Sequence, residues 1–288
     1  MYSYFGSSTW ISPFGLLFLA AIVLAWWLSR RNAVSAGIDS SHIDLLLPIA
    51  IIVGVAGGTL LSLSMPADRM IAGEDMQTGV RLRLFGMLAV STVAVFVYSR
   101  LAGLPFRRLL DILALPTIAG LMIHRIGCFL AGCCWGDLVS SMQLTRYAAQ
   151  VQTLPILSDL SSGVQYPPGS LPYEQHIAMG LIHFGAPASL PVYPVQLYEA
   201  SLLLVILLAL YRFPWRQYPQ GYLTVLVIGA YALVRFFLEY LRADGSIVIG
   251  NMTVTQIQCL FLLLGVVLLR RASSHRHQGP DQDLCGRV

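Results

Sequence analysis

The run GYLTVLVIGAYALVRFFLEYLRAD (221–244) decides how the rest of the chain is read. It is apolar and long enough to cross a bilayer, yet it carries Arg235, Glu239 and Arg242. At about 100° per residue, Tyr231, Arg235, Glu239 and Arg242 fall in one helical sector roughly 80° wide. A charge at membrane depth costs on the order of 2.5–3.5 kcal/mol on insertion scales, so it is expected to face a polar cavity and to serve a function. Two guanidinium groups flanking a carboxylate on one face suit an anionic ligand, most simply a phosphate.

The composition agrees with a chain that lives in lipid. Of 288 residues, 56% are hydrophobic and 11% charged, with a mean hydropathy of +0.70. A soluble domain carries roughly 25% charged residues. All 18 basic residues are arginine, which removes lysine from every catalytic scheme. The net charge of +4 is spread between apolar runs and forms no basic tract, so no nucleic-acid partner is expected.

The predicted fold is an all-α polytopic membrane protein, one membrane domain over 1–288 with about seven transmembrane helices. The spans read as about 13–28, 43–63, 82–98, 109–123, 195–211, 221–241 and 254–269. The fourth is the weakest, because it carries Asp111 and Pro116. Arg30 and Arg31, the group Arg100, Arg107 and Arg108, the pair Arg212 and Arg216, and the group Arg270, Arg271 and Arg276 all follow or precede spans on one side. The positive-inside rule makes that side cytoplasmic, with the N-terminus outside and the C-terminus inside. No basic residue precedes the first apolar run, so a cleavable signal peptide is not expected. The segment 128–192, with its run VQYPPGSLPYEQH (164–176), then faces outward and predicts a small extracytoplasmic head. The polar tail 272–288 is expected to be flexible and cytoplasmic.

Four further stretches carry candidate chemistry. LMIHRIGCFLAGCCWGD (121–137) sets His124 and Arg125 near the outer boundary, followed by Gly127, Gly132 and Gly136, whose backbone can approach a neighbour or ligand closely. Arg125 is a second anion ligand or, alternatively, an arginine reaching from a helix end to the interface. YPVQLYEA (193–200) opens the fifth span, with Gln196 and Glu199 three apart on one face. Glu199 lies inside an apolar run and needs a partner, an arginine in the simplest case. VAGGTLLSL (55–63) places paired glycines where helices pack closely. NMTVTQIQ (251–258) opens the last span, with Thr253 as a helix cap and Gln256 directed at the cavity.

Cys128, Cys133 and Cys134 sit near the outer face, where a disulfide is chemically allowed and Cys128 is the better partner for either of its neighbours. With His124 they are also a conceivable soft-metal set, but the spacing matches no finger or ribbon pattern. Packing of small residues explains the spacing as well, and neither a metal nor a cofactor is expected.

Together these stretches resemble the bacterial prolipoprotein diacylglyceryl transferase family. HRIGCFLAGCCWG (124–136) looks like that family's GRIGNFINGELWG signature, YPVQLYE (193–199) like its HPSQLYE, and Gly229 to Asp244 like its GYGxxRxxxEFFRxPD segment. Gly57 and Gly58 match a GGRxGY-like segment, and Met252 to Gln256 loosely match the MGQ that opens its last helix. The resemblance implies a seven-span enzyme of the bacterial inner membrane. Such an enzyme moves the diacylglyceryl group of phosphatidylglycerol to the lipobox cysteine thiol of secreted lipoprotein precursors. Its partners are therefore membrane lipid and those precursors. By resemblance, Arg125 and Arg235 hold the phosphate and its leaving oxygen, Glu239 orients Arg235, Tyr231 lines the cavity and Gly136 keeps the signature turn open. Gln196 and Glu199 support the headgroup region, and Arg242, Cys128 and Cys133 complete the substrate-binding set.

The departures lie at polar positions. Where the family has a histidine before a glycine pair, this chain reads LFGML (84–88), with Phe85 at the histidine; the neighbouring Arg81 and Arg83 are poor bases. Cys128 stands for Asn, Cys133 for Glu and Tyr193 for the histidine of HPSQLYE. His124 is the candidate replacement base, since imidazole titrates near neutral pH, with His176 and His183 as more distant candidates. Two other readings follow from these departures: a diverged relative with a different acceptor, and a non-catalytic phospholipid-binding membrane protein.

Overall fold

The computed structural model describes residues 13–63, 76–139, 163–242, 247–249 and 252–276. Eight α-helices lie among them: α1 (Pro13–Ser35), α2 (Ser41–Leu63), α3 (Met76–Leu101), α4 (Phe106–Leu130), α5 (Leu171–Ala178), α6 (Val195–Tyr211), α7 (Tyr222–Leu238) and α8 (Val254–Arg276). Four stretches are long and apolar enough to cross a membrane: Pro13–Ser35, Ser41–Leu60, Phe106–Leu130 and Tyr222–Leu241. Ala89–Leu101, Val195–Tyr211 and Val254–Leu268 are shorter apolar helices. The outward faces are apolar too, with Ile52, Leu60 and Phe261 more than two-thirds exposed, as lipid-facing helices require. The protein is thus a helical, polytopic membrane protein.

Helix α4 is the hub. It packs against α1, α6, α7 and α3, while α2 pairs with α3 and α8 with α7. Leu109, Ile112, Leu115 and Ile118 of α4 enter the main core beside Ile43, Leu46, Leu203 and Leu223. The α2–α3 pair is close because Gly57 leaves room; a Cβ there would lie 2.5 Å from Val90 Cγ2. Small residues at a helix interface let two backbones approach in this way.

Asp111, the residue that weakens the fourth span on sequence grounds, has a structural use. It is buried, and its carboxylate accepts hydrogen bonds from Gly221 N at 2.6 Å, Thr224 N at 2.9 Å and Thr224 Oγ1 at 2.7 Å. It therefore caps the N-terminus of α7 from a neighbouring helix, where free amides and the helix dipole favour a negative charge.

The same end of the bundle collects the arginines assigned to the cytoplasmic side. Asn32 bonds the Ile112 carbonyl at 3.2 Å, His42 meets Tyr98 at 2.9 Å and Arg216 reaches Ser35. Arg30 lies over Trp26, Arg31 over Trp27, Arg100 over Phe96, and Arg108 and Arg216 over Trp215, all at 5.0–5.9 Å from the ring centroids. A guanidinium on an aromatic face is a favourable arrangement for an interfacial belt.

At the opposite end, the connection from α4 to α6 is described at 131–139 and 163–194. Leu138, Tyr166 and Val192 form a small core there, and isolated bridges join Leu138 and Val164 to Val192. No separate head domain is delineated among the described residues; Asp137 N bonds Leu241 O at 2.8 Å and ties this segment to the end of α7. Beyond α7, β1 (Ile247–Ile249) pairs antiparallel with β2 (Met252–Thr253), and α8 follows. Part of the predicted head (140–162), residues 64–75 between α2 and α3, and residues 277–288 of the predicted tail lie outside the described residues.

Candidate active site

Two carboxylates with no solvent exposure organise the end of the bundle opposite the arginine belt. Glu199 stands on the second turn of α6 and Glu239 just beyond the last turn of α7. Glu199 Oε1 meets Arg125 Nε at 3.0 Å and accepts a hydrogen bond from Tyr231 OH at 3.2 Å. Glu239 Oε2 meets Arg235 Nη2 at 2.8 Å, and its Oε1 accepts from Thr253 Oγ1 at 3.1 Å. Each buried carboxylate thus holds one arginine and one hydroxyl. Burying either charge alone would cost several kcal/mol; pairing with a geometry-matched guanidinium offsets much of that. Tyr231 is also within electrostatic reach of both Arg125 and Arg235.

Local sequence explains how each group is held. Arg235 and Glu239 are one turn apart, the spacing at which helical side chains meet. Thr253 and Gln256 form a reciprocal cap on α8, with Thr253 N donating to Gln256 Oε1 at 3.0 Å and Gln256 N to Thr253 Oγ1 at 3.2 Å. That cap fixes the hydroxyl that serves Glu239. Gln196 is buried on the first turn of α6 and donates from Nε2 to Cys133 O at 2.7 Å, fastening the signature turn to the helix that carries Glu199. Gly136 donates to Tyr193 O at 2.9 Å. A Cβ at Gly136 would lie 2.6 Å from that oxygen and from Val195 Cγ2, and 2.7 Å from Leu241 O, so this turn has no room for a side chain.

The arrangement keeps polar atoms in reserve. Arg235 Nη1, Glu199 Oε2, Gln196 Oε1 and His124 Nδ1 are buried and have no hydrogen-bond partner among the described residues. A guanidinium has five N–H donors in a planar fork, so Arg235 can hold Glu239 with one nitrogen and an anionic oxygen with the other.

Of the residues singled out from sequence, Arg125, Glu199 and Tyr231 come into direct contact, as do Arg235 and Glu239. Arg242 does not sit on the helical face predicted for it. The α-helix ends at Leu238, a 3₁₀ turn covers Glu239–Leu241, and Arg242 pairs as an extended residue with Gly136. It is nevertheless buried, and it interacts electrostatically with Arg125 and Cys134. Gln256 gives Oε1 to the cap, and its Nε2 is buried with no hydrogen-bond partner among the described residues. His124 is packed between Phe14 and Phe18, at 5.6 and 6.0 Å, with Nε2 3.5 Å from Cys128 Sγ. Its ring therefore adjoins the cysteines and two phenylalanines. Cys128, Cys133 and Cys134 are free thiols whose sulfur atoms lie within 4.8 Å of one another. Phe85 lies on the α3 backbone, and its side chain, with those of Arg81 and Arg83, is outside the described residues.

Two contributions are not visible from sequence. Thr253 reads as a cap; its bond to Glu239, fourteen residues away, has no local signal. His176, a distant candidate base, is buried, and its Nδ1 accepts the Leu190 amide at 3.2 Å. Burial holds its pKa below the ordinary histidine value of 6.5.

Comparison with known proteins gives one consistent result. The family model described as prolipoprotein diacylglyceryl transferase matches residues 5–271. A phosphatidylglycerol–prolipoprotein diacylglyceryl transferase of Allorhizobium ampelinum is 28% identical over 295 aligned positions, covering 95% of this chain and 88% of that protein. Proteins of the same name from Nitratidesulfovibrio vulgaris strain Hildenborough and Methylococcus capsulatus are each 28% identical, over 89% and 91% of this chain and 88% and 91% of their own lengths.

Proposed function

We propose a function from one premise: this chain belongs to the prolipoprotein diacylglyceryl transferase family. It moves the diacylglyceryl group of phosphatidylglycerol to the lipobox cysteine thiol of secreted lipoprotein precursors, in the bacterial cytoplasmic membrane. Helices α1, α2, α3, α4, α6, α7 and α8 are its seven spans, with the N-terminus outside and the C-terminus inside, so the two arginine–carboxylate pairs lie toward the outer leaflet.

In this reaction the acceptor sulfur, as thiolate, attacks the glycerol carbon that carries the phosphate oxygen. An S–C bond forms as the C–O bond breaks, and glycerol phosphate leaves with the bonding electrons. The thiol proton passes to water or to the leaving phosphate. Charge grows on phosphate oxygen in the transition state, and fixed donors in a low-dielectric site stabilise it without reorganising. Arg125 and Arg235 supply those donors. Glu199 and Glu239 hold their planes in place, and Tyr231 braces Glu199. Gly136 and Gln196 hold the signature turn against α6.

The observation that carries the reading is the buried Nη1 of Arg235, a charged donor without a hydrogen-bond partner among the described residues while Nη2 is held by Glu239. Such a group is costly unless a ligand completes it. The test is incubation of the purified protein with phosphatidylglycerol and a lipobox-cysteine peptide, read by peptide mass. A gain of one diacylglyceryl group, lost in Arg235→Ala, is expected. A second reading, a membrane protein that holds phospholipid without transferring it, is favoured by Phe85 at the family's histidine position. Phospholipid co-purifying with an unmodified peptide would select it.

A further inference from the structure

We infer that Cys128, Cys133 and Cys134 form a three-thiolate site for a soft divalent cation such as zinc, with a fourth position open to the thiol of the acceptor. The expectation of no metal rests on linear spacing alone. Folding changes the geometry: Cys128 lies in the last turn of α4, and Cys133 and Cys134 return past it in the turn that follows.

The three sulfur atoms all lie within 4.8 Å of one another, and none is in a disulfide. Tetrahedral ligands at about 2.3 Å for sulfur stand roughly 3.8 Å apart, so the cluster closes on a cation with side-chain shifts of about 1 Å. The backbone is shaped to point the last thiol inward: Cys134 is the one non-glycine residue with positive φ among the described residues, at +60°. Such a conformation is uncommon outside glycine, asparagine and aspartate, and it persists where surrounding structure enforces it. Gln196 pins the Cys133 carbonyl and Cys133 Sγ lies 3.5 Å from the Cys128 carbonyl, so the turn is held from both sides. His124 Nε2 contacts Cys128 Sγ at 3.5 Å and orients it. Thiolate donors select soft or borderline metals, and three protein ligands with one open position are the pattern of a catalytic site.

The use of this site rests on the transfer reading above. Gln196 ties the Cys133 carbonyl to the helix that carries Glu199, and Arg242 pairs with Gly136, two residues past Cys134, so a ligand in the fourth position borders the anion site. A thiol that coordinates zinc loses its proton outright. The acceptor would bind as a thiolate, its proton released to water. Its sulfur would then form the new S–C bond as the C–O bond to phosphate breaks, leaving the metal on its three cysteines. This supplies the deprotonation that Phe85 cannot.

The full chain, purified in detergent, tests this in two arms. Metal analysis is expected to find about one zinc per chain. Cobalt(II) loading is expected to give intense sulfur-to-metal charge transfer. Cys133→Ser and Cys134→Ser lose the metal, while Cys259→Ser, on α8 outside the cluster, keeps it. Adding a lipobox-cysteine peptide to the cobalt form strengthens the charge-transfer band, and a serine version of the peptide leaves it unchanged. Substoichiometric metal with three reactive thiols, or a disulfide involving Cys128 by mass, overturns the site. Bound cobalt whose spectrum ignores the peptide thiol overturns the open position. Metal content is independent of diacylglyceryl transfer, so an inactive but metal-loaded protein would count against the reaction and not against the site.

Discussion

At the scale of single residues, the site depends on two buried carboxylates, each holding one arginine and one hydroxyl. Glu239→Gln keeps an acceptor for Thr253 but removes the charge that holds Arg235. A hydrogen bond to a charged partner contributes about 1.5–3 kcal/mol, so the account expects transfer to fall roughly 10–100-fold in kcat/KM, measured by peptide mass against time. Glu239→Ala, which also strands Thr253, should lose more. An unchanged rate in Glu239→Gln would show that Arg235 needs no positioning. Gly136→Ala probes the turn rather than the charges. Its Cβ would press within 2.7 Å of two carbonyl oxygens and Val195. Overpacking of this kind costs about 1–3 kcal/mol, to be read as a lowered thermal midpoint.

At the scale of elements, helix positions are legible because lipid imposes long apolar runs, and the helix ends are not. The sequence RFFLEYLRAD (235–244) has no glycine or proline to stop a helix, so Arg242 reads as part of the face that carries Arg235. The helix stops at Leu238 because the chain beyond it pairs with the signature turn, a contact made by residues a hundred positions earlier. Asp111 shows the converse. In one dimension it weakens a span; in three it caps α7. Asp111→Ala leaves the Gly221 and Thr224 amides without that acceptor, and a loss of about 2–3 kcal/mol is expected in unfolding experiments. The outer segment carries a pH-dependent contact at His176. Burial holds its pKa below the 6.5 of an exposed histidine, and its neutral Nδ1 accepts the Leu190 amide. The unfolded chain therefore binds the proton more readily. This contribution to stability is complete above about pH 6.5 and is lost as pH falls from there through the native value. Hydrogen-exchange protection at Leu190, taken relative to the intrinsic rate at each pH, should fall between pH 7 and pH 5, and His176→Asn should flatten that change. Protection independent of pH in the wild type would contradict the assignment.

At the scale of the molecule, charge is sorted between the two ends of the bundle. Arginines at one end stand on aromatic faces, and arginines at the other are bound to buried carboxylates. The first group gives orientation and the second the site, and both are visible in sequence because a charge in an apolar chain has few permitted places. The bond from Thr253 to Glu239 is not legible in sequence, since it does not follow from the periodicity of one helix. The central claim is that the arginines hold the lipid phosphate while carbon–oxygen cleavage delivers diacylglycerol to sulfur. The most direct test uses phosphatidylglycerol labelled in its glycerol headgroup and measures released glycerol phosphate against modified peptide. The account predicts equal amounts of the two, a peptide adduct stable to hydroxylamine as a thioether must be, and loss of both products in Arg235→Ala. A hydroxylamine-labile adduct with the headgroup retained on the lipid would mean acyl transfer instead, and would contradict it.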